Sequence, residues 1–192
     1  MRLLATLALS SALSMALGAC ANLAPASPQP LLRLSPASFG REVALQQRLD
    51  VAVGGMNRQL DAVLEVDATS LRLAVLVLGR TRARIEWNGD TLAESHAPGW
   101  PAAVGAERVL SDLQLMLWPT DAIRAALPAG WTLEDTPGQR SLLSAGRPVV
   151  RIDQLSAGVS AMENLRAHYR IRVESRPIEA DANAETNAEA MP

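Results

Sequence analysis

Apolar and polar residues alternate with a period of two in many segments of the chain, a pattern typical of β-strands with one buried face. The first such segment covers residues 43–53, and Gly54-Gly55 ends it. Asn88-Gly89, the most specific short hairpin signal, joins two later segments. The alternation predicts antiparallel strands over residues 43–53, 60–67, 71–78, 81–87, 91–96, 131–134, 141–144, 148–153 and 167–174.

Between the fifth and sixth predicted strands, the apolar positions change to the spacing of an amphipathic helix. This helix is predicted by Ala106, Val109, Leu110, Leu113 and Leu117. Pro119 ends it, and Thr120 is a candidate N-cap for a second short helix over residues 121–127. Residues 154–166 contain Gly and Ser and are predicted to form a loop. The fold class is therefore mainly β (α+β), a meandering antiparallel sheet with helices gathered on one side.

The first 19 residues have the features of an export signal. Arg2 precedes an apolar run over residues 3–17, which is shorter than the roughly 20 residues of a membrane-spanning helix and fits a signal peptide. The run ends in Leu17-Gly18-Ala19-Cys20, which resembles the lipobox of bacterial lipoproteins. We therefore expect Cys20, the only cysteine, to carry the lipid anchor. The alternative is an ordinary secreted protein with an unused thiol.

The remaining chain divides by composition into three parts. We predict an acylated cysteine and proline-rich linker over residues 20–36, one domain over 37–176, and a disordered acidic tail over 177–192. The residue after Cys20 is Ala21. An aspartate at this position would resemble an inner-membrane retention signal. The expected location is therefore the outer membrane, with the domain facing the periplasm.

Composition and motifs exclude several classes of function. The formal net charge is −2, which gives no sign of a nucleic-acid surface. The two histidines are His96 and His168, and the sequence contains no nucleophile elbow, zinc-binding helix motif, phosphate loop or dinucleotide fingerprint. We therefore predict no enzyme activity, no cofactor and no metal.

Two sets of charged residues allow alternative interpretations. Asp61, Glu65 and Asp67 share one strand face, where a solvated surface is favoured over acid–base chemistry. Paired arginines on two strands are interpreted as outward-facing charges, with an anion or head-group site as the alternative. These pairs are Arg82 with Arg84, and Arg170 with Arg172.

The order of elements over residues 71–130 resembles the outer-membrane lipoprotein receptor LolB and its LolA-like relatives. This similarity rests on the apolar strand ending in Leu78-Gly79, the following hairpin, the helix over 106–116 and Leu127-Pro128-Ala129-Gly130. More narrowly, the chain resembles an uncharacterised lipoprotein family that is often encoded beside aryl-polyene biosynthesis enzymes. This second resemblance rests on runs within residues 34–49, 112–115 and 125–131. The resemblance implies an open antiparallel half-barrel with a helical lid or plug.

The implied function is binding of a lipidic or acylated cargo in an apolar cavity, and assistance with its transfer or insertion at the outer membrane. The cargo would be a lipoprotein acyl group or an aryl-polyene lipid, and a periplasmic LolA-like carrier is the candidate donor. The alternative is a structural or assembly lipoprotein with a packed barrel, which tethers envelope partners. One set of apolar residues allows two interpretations, core packing or the lining of the cargo cavity. The set consists of Leu64, Leu73, Val75, Ile85, Trp87, Leu110, Leu113, Leu117 and Trp118.

Leu78 lies where the third predicted strand must turn. Periodicity alone slightly favours a leucine that folds back into the core, because turns are usually polar. The resemblance implies instead a protruding leucine that enters the membrane when cargo is delivered. Arg80 and Arg82 beside it suit anionic head groups.

Overall fold

Ten antiparallel strands form one open sheet in the computed structural model, which describes residues 28–100 and 105–178. The predicted export signal, the predicted lipid anchor Cys20 and most of the predicted tail lie outside the described residues. The mainly β, antiparallel fold class is confirmed. The strands are β1 Val43–Val53, β2 Met56–Val66, β3 Leu71–Val77, β4 Arg80–Trp87, β5 Leu92–His96, β6 Trp131–Thr136, β7 Gln139–Ser144, β8 Arg147–Ser156, β9 Val159–Asn164 and β10 Tyr169–Pro177.

The sheet order is β5-β4-β3-β2-β1-β10-β9-β8-β7-β6, so the first strand lies near the centre. β1 pairs with β2 on one side and with β10 on the other. Two helices, α1 Ala106–Leu117 and α2 Thr120–Ala126, connect the edge strands β5 and β6. α1 contacts β4 and β5, while α2 contacts β6.

The hairpin turns lie at two opposite ends of the sheet because consecutive strands are antiparallel. We call one end the Leu78 end. It contains the turns at residues 54–55, 78–79, 145–146 and 165–168. The other is the Asp67 end, with the turns at residues 67–70, 88–91, 137–138 and 157–158.

Residues 29–36, which we call the strap, cross the sheet from the Leu78 end to the Asp67 end. Leu32 and Leu34 are buried, and the Leu32 N–H donates to Ser111 Oγ at 3.0 Å. Gln114 Oε1 accepts from the Leu34 N–H at 2.9 Å, and Trp87 Nε1 donates to the Leu34 carbonyl at 2.7 Å. The end of the predicted linker over residues 20–36 is therefore part of the packed domain, which begins before residue 37.

Three local predictions differ from the structure. Thr120 is the first residue of α2, and the N-cap position is occupied by Pro119. Residues 159–164 form strand β9 instead of part of a loop, because polar Asn164 occupies a buried position and conceals the alternation. The β4–β5 connection has four residues, 88–91, whereas the predicted strands 81–87 and 91–96 leave three residues between them. There Asn88 Oδ1 accepts the backbone N–H groups of Asp90 and Thr91 at 3.0 and 2.7 Å.

Candidate functional site

Leu78 lies at the tip of the β3–β4 hairpin and is 95% exposed. Val77 pairs with Arg80, and the two residues between them, Leu78 and Gly79, have φ angles of 51° and 73°. Positive φ at both central residues defines a type I′ turn, in which Asn-Gly is the preferred sequence. Leu78 therefore does not pack into the core, and its proposed role at a membrane stays a prediction.

The arginines singled out in the sequence lie on the surface with different partners. Arg80 is exposed, and Arg82 donates to the Pro98 carbonyl at 2.6 Å. Arg170 forms an ion pair with Glu163 at 2.8 Å, and Arg172 lies 3.7 Å from Asp50. The described residues thus show these side chains as surface charges rather than as one converging anion site.

The predicted acidic face contributes to a turn and to surface ion pairs. Asp67 accepts the backbone N–H groups of Thr69 and Ser70, each at 2.8 Å. The hydroxyl and backbone N–H of Thr69, with the Ser70 N–H, hold the pKa of Asp67 well below its usual range. Arg72 pairs with both Glu65 and Asp67. These ion pairs agree better with the prediction of a solvated surface than with that of an acid–base pair.

The structure brings the nine predicted cavity residues into one hydrophobic cluster. Leu113 and Leu117 are half-buried against that cluster, whereas the other seven are buried in it. Leu32 and Leu34 of the strap belong to the same cluster. The seven buried residues are Leu64, Leu73, Val75, Ile85, Trp87, Leu110 and Trp118.

Two surface cavities are lined by other residues. The smaller, of about 70 Å³, is polar and includes Gln47, Arg48 and Glu174. The larger, of about 750 Å³, lies between the strap, β5 and the start of α1. Its lining includes Arg33, Asp90, Glu94, Glu107 and Arg108, and an acyl chain there would cover charged groups at a cost in free energy.

A buried polar cluster joins α1 to the strap and to the last two strands. The Tyr169 hydroxyl donates to Asp112 Oδ2, and Asn164 Nδ2 donates to the Tyr169 oxygen at 3.2 Å and to Gln29 Oε1 at 2.8 Å. Arg108 Nη1 lies 3.9 Å from Asp112 Oδ1. The sequence gives no signal for this cluster, because its members are separated by up to 140 positions and follow no motif.

Burial dominates the electrostatics of this cluster. Loss of water raises the pKa of Asp112 to about 6, against the opposing effects of the Tyr169 hydroxyl and Arg108. Burial and the neighbouring carboxylate also raise the pKa of Tyr169 above its ordinary value. The cluster can therefore hold or release one proton near neutral pH, with no nucleophilic side chain bonded to it in the described residues.

Within residues 28–100 and 105–178, no helix has the length and apolar character needed to cross a membrane. The same residues hold no group of three or more His, Cys, Asp or Glu side chains placed to bind a metal ion. His96 and His168 are both exposed.

Comparison with known families gives one match over most of the chain. The family described as "Protein of unknown function (DUF3261)" matches residues 44–177. The match covers the sheet from the second residue of β1 to the last residue of β10, with both helices, and the strap precedes it. No curated protein matches the chain.

Proposed function

Because the chain belongs to the DUF3261 family, whose description names no activity, we propose its function from the structure itself. We propose an outer-membrane lipoprotein with a LolB-like half-barrel, which binds a lipidic or acylated cargo and assists its insertion into the outer membrane. No covalent chemistry is needed, since an apolar cargo moves toward the environment that removes most of its surface from water.

The observation that carries this proposal is the exposure of Leu78. A leucine with left-handed backbone costs roughly 1–2 kcal/mol relative to the right-handed region, and this side chain is 95% exposed. Strain of this kind is often found at functional sites. Burying one leucine in an apolar phase contributes about 1.5–3 kcal/mol, so contact with a bilayer would give this turn residue a physical role.

The proposed anchor would keep that tip close to the bilayer. Nine peptide steps separate Cys20 from Gln29, where the strap begins, and they span at most about 30 Å. We expect Cys20→Ser to release the protein from the outer-membrane fraction. Unchanged recovery of this variant with the outer membrane would contradict the anchor.

Cargo would occupy the space beneath the helices that the strap and the nine predicted residues now fill. Leu32 and Leu34 are the strap residues whose positions an acyl chain would take. Cargo binding then competes with the hydrogen bonds that Ser111, Gln114 and Trp87 make to the strap. The equilibrium shifts only if cargo binds the strap-released state more tightly than the closed one.

The same packing favours a second candidate function. Seven of the nine predicted cavity residues are buried in the core, which suits a structural or assembly lipoprotein that tethers envelope partners without transporting lipid. A fluorescent fatty-acid probe, titrated into the protein lacking residues 1–20, separates the two. Saturable binding supports cargo transport, whereas a folded protein with no probe binding supports the tether.

Variants sharpen this experiment. Leu73→Glu and Leu113→Glu should weaken probe binding, and circular dichroism must show that they still fold, since a buried unpaired charge is costly. Leu78→Glu should leave probe uptake intact and abolish transfer to vesicles. Leu155→Glu is its matched control, because Leu155 is also an exposed leucine, with 55% of its surface accessible, but lies at the Asp67 end of the sheet.

A further inference from the structure

We propose that the tip of the β1–β2 hairpin is a second membrane-contacting point. In this arrangement Val53 and Met56, with Arg58 and Arg80, join Leu78 in one surface that docks on a bilayer with anionic head groups. The inference rests on the proposed function at a membrane, but it concerns a different hairpin and is independent of any cargo.

The two hairpins are neighbours and expose apolar side chains at the same end. Val53 and Met56 pair across Gly54-Gly55 and are 43% and 54% exposed. Strands β2 and β3 are adjacent, so the β1–β2 tip lies beside the Leu78 tip. Large exposed apolar residues on adjacent tips form a patch of the kind that marks an interaction surface.

The strand register is compatible with simultaneous contact. Asp61 pairs with Leu76 at the end of the β2–β3 ladder; the same register, continued beyond it, would place Leu78 opposite Gln59, with Met56 three residues farther along β2. An offset of three residues is about 10 Å along the strand. The two hairpins are centred two strands apart in the sheet, which is also about 10 Å. A strand tilt of about 45°, within the range of barrel sheets, therefore brings the two tips to one level.

Charge is divided between the two ends of the sheet. The hairpin segments at the Leu78 end contain six arginines and no aspartate or glutamate, whereas those at the Asp67 end contain seven acidic residues and one arginine. A bilayer with anionic lipids attracts the first end and repels the second. The segments compared are 53–58, 77–82, 144–148 and 164–170, against 65–71, 86–92, 134–140 and 153–160.

Arg58 and Arg80 are available for head groups. Both are exposed, and neither forms an ion pair with any part of the chain that the structure describes. Phosphate oxygens of lipids accept from the planar guanidinium in a bidentate arrangement. Each arginine flanks an apolar tip residue, so one orientation satisfies the apolar contact and the charge together.

The strap begins at this end of the sheet. Gln29, the first residue of the strap, accepts a hydrogen bond from Asn164 at the β9–β10 turn. The chain toward Cys20 therefore leaves the domain at the Leu78 end. The exposed apolar tips, the arginines and the first residue of the strap all lie at one end, which favours a bilayer over a protein partner.

The test uses the acylated full-length protein in vesicles of phosphatidylethanolamine and phosphatidylglycerol. Because acylated Cys20 has no free thiol, a cysteine introduced at position 56, 78 or 155 takes up an environment-sensitive fluorophore alone. Leu155 is the matched control, since it is 55% exposed, close to Met56 at 54%, but lies at the Asp67 end. Lipids that carry a quencher in the acyl chain then report insertion.

We expect loss of fluorescence for Met56→Cys and Leu78→Cys and none for Leu155→Cys. A combined Arg58→Gln and Arg80→Gln change should reduce the loss at position 56, and so should vesicles of phosphatidylcholine alone. No quenching at position 56, or equal quenching at positions 56 and 155, overturns the proposal and would leave this hairpin to a protein partner.

This outcome is separable from failure of the proposed function. If the fatty-acid probe is not transferred but position 56 is quenched, the docking surface stands and the cargo role fails. If transfer proceeds while position 56 stays unquenched, the docking surface is wrong and the cargo role stands.

Discussion

Trp87 donates its indole N–H to the carbonyl oxygen of Leu34 at 2.7 Å, and thereby joins β4 to the strap. Gln114 donates to the same oxygen at 2.8 Å and accepts from the N–H of Leu34. Buried backbone groups need such partners, and here two side chains supply them to a peptide that belongs to no sheet. These hydrogen bonds fix the strap to α1 and β4.

Gln114→Leu should lower the free energy of unfolding by about 1–3 kcal/mol, because it leaves the buried N–H of Leu34 without an acceptor. Urea unfolding of the variant measures the change. Gln46→Leu, on an exposed position of β1, is the control and should change stability little. Equal effects of the two variants would mean that the strap adds nothing to stability.

Leu78→Asn should raise the free energy of unfolding by up to about 1 kcal/mol, because asparagine suits the left-handed position of a type I′ turn. The same change should impair transfer to membranes. Ala145→Asn tests the matched turn, and it should add stability without affecting transfer. Both can be measured by urea unfolding and a vesicle-transfer assay. A large loss of stability in Leu78→Asn would show that this leucine is packed after all.

Asp112 should make stability depend on pH between about pH 4 and pH 6. Its folded pKa of about 6 lies above the unfolded value of 3.8, so the folded state holds the proton more tightly across that range. The contribution of Asp112 to the free energy of unfolding is therefore highest at low pH and falls as pH rises, by about 3 kcal/mol in total. The difference in unfolding free energy between wild type and Asp112→Asn, measured across the range, should show this slope, because contributions from other carboxylates such as Asp67 are common to both proteins.

Arg140 should contribute more to stability than the surface arginines. Its side chain is 16% exposed, pairs with Asp135 at 2.8 Å, and donates to the carbonyls of Leu115 and Trp118 at the end of α1. Arg140→Met removes the donor from both carbonyls and from the partly buried Asp135, which keeps its hydrogen bond from Thr120, at a cost of about 1–3 kcal/mol.

The control for that variant is Arg72→Met, which removes a half-exposed arginine from an ion pair with Glu65 and Asp67. It should cost at most about 1 kcal/mol. Thermal unfolding of both variants ranks the two. If Arg140→Met lowers stability no more than Arg72→Met does, the larger contribution assigned to Arg140 and its ion pair with Asp135 is wrong.

Most strands could be predicted because each buries one face against a single core. In β4, Ala83, Ile85 and Trp87 are buried and alternate with exposed charged residues, so the period of two is legible. In β9 the inward positions include Asn164, whose side chain binds Gln29 and Tyr169. Asn164 is polar because it bonds to Gln29, more than 100 positions away, and to Tyr169 across a turn. The local pattern of apolar residues contains no information about such partners.

The candidate site was only partly predictable for the same reason. Leu78 is an apolar residue at a position where a turn, usually polar, is expected. Periodicity alone favoured a buried side chain. Only the pairing of Val77 with Arg80 in the structure shows that the turn has two residues. The strap was hidden by its prolines, which suggest a spacer. Its alternating Leu32 and Leu34 are too short a pattern to indicate packing.

The central place of β1 has a consequence for the order in which the molecule can assemble. Val43–Val53 is synthesised before the other described strands, yet its second partner, Tyr169–Pro177, is the last of the described strands along the chain. Contacts of such long sequence separation form slowly. One edge of β1 must therefore stay unpaired until more than 100 further residues have been synthesised, and closure of the sheet is a late step of folding.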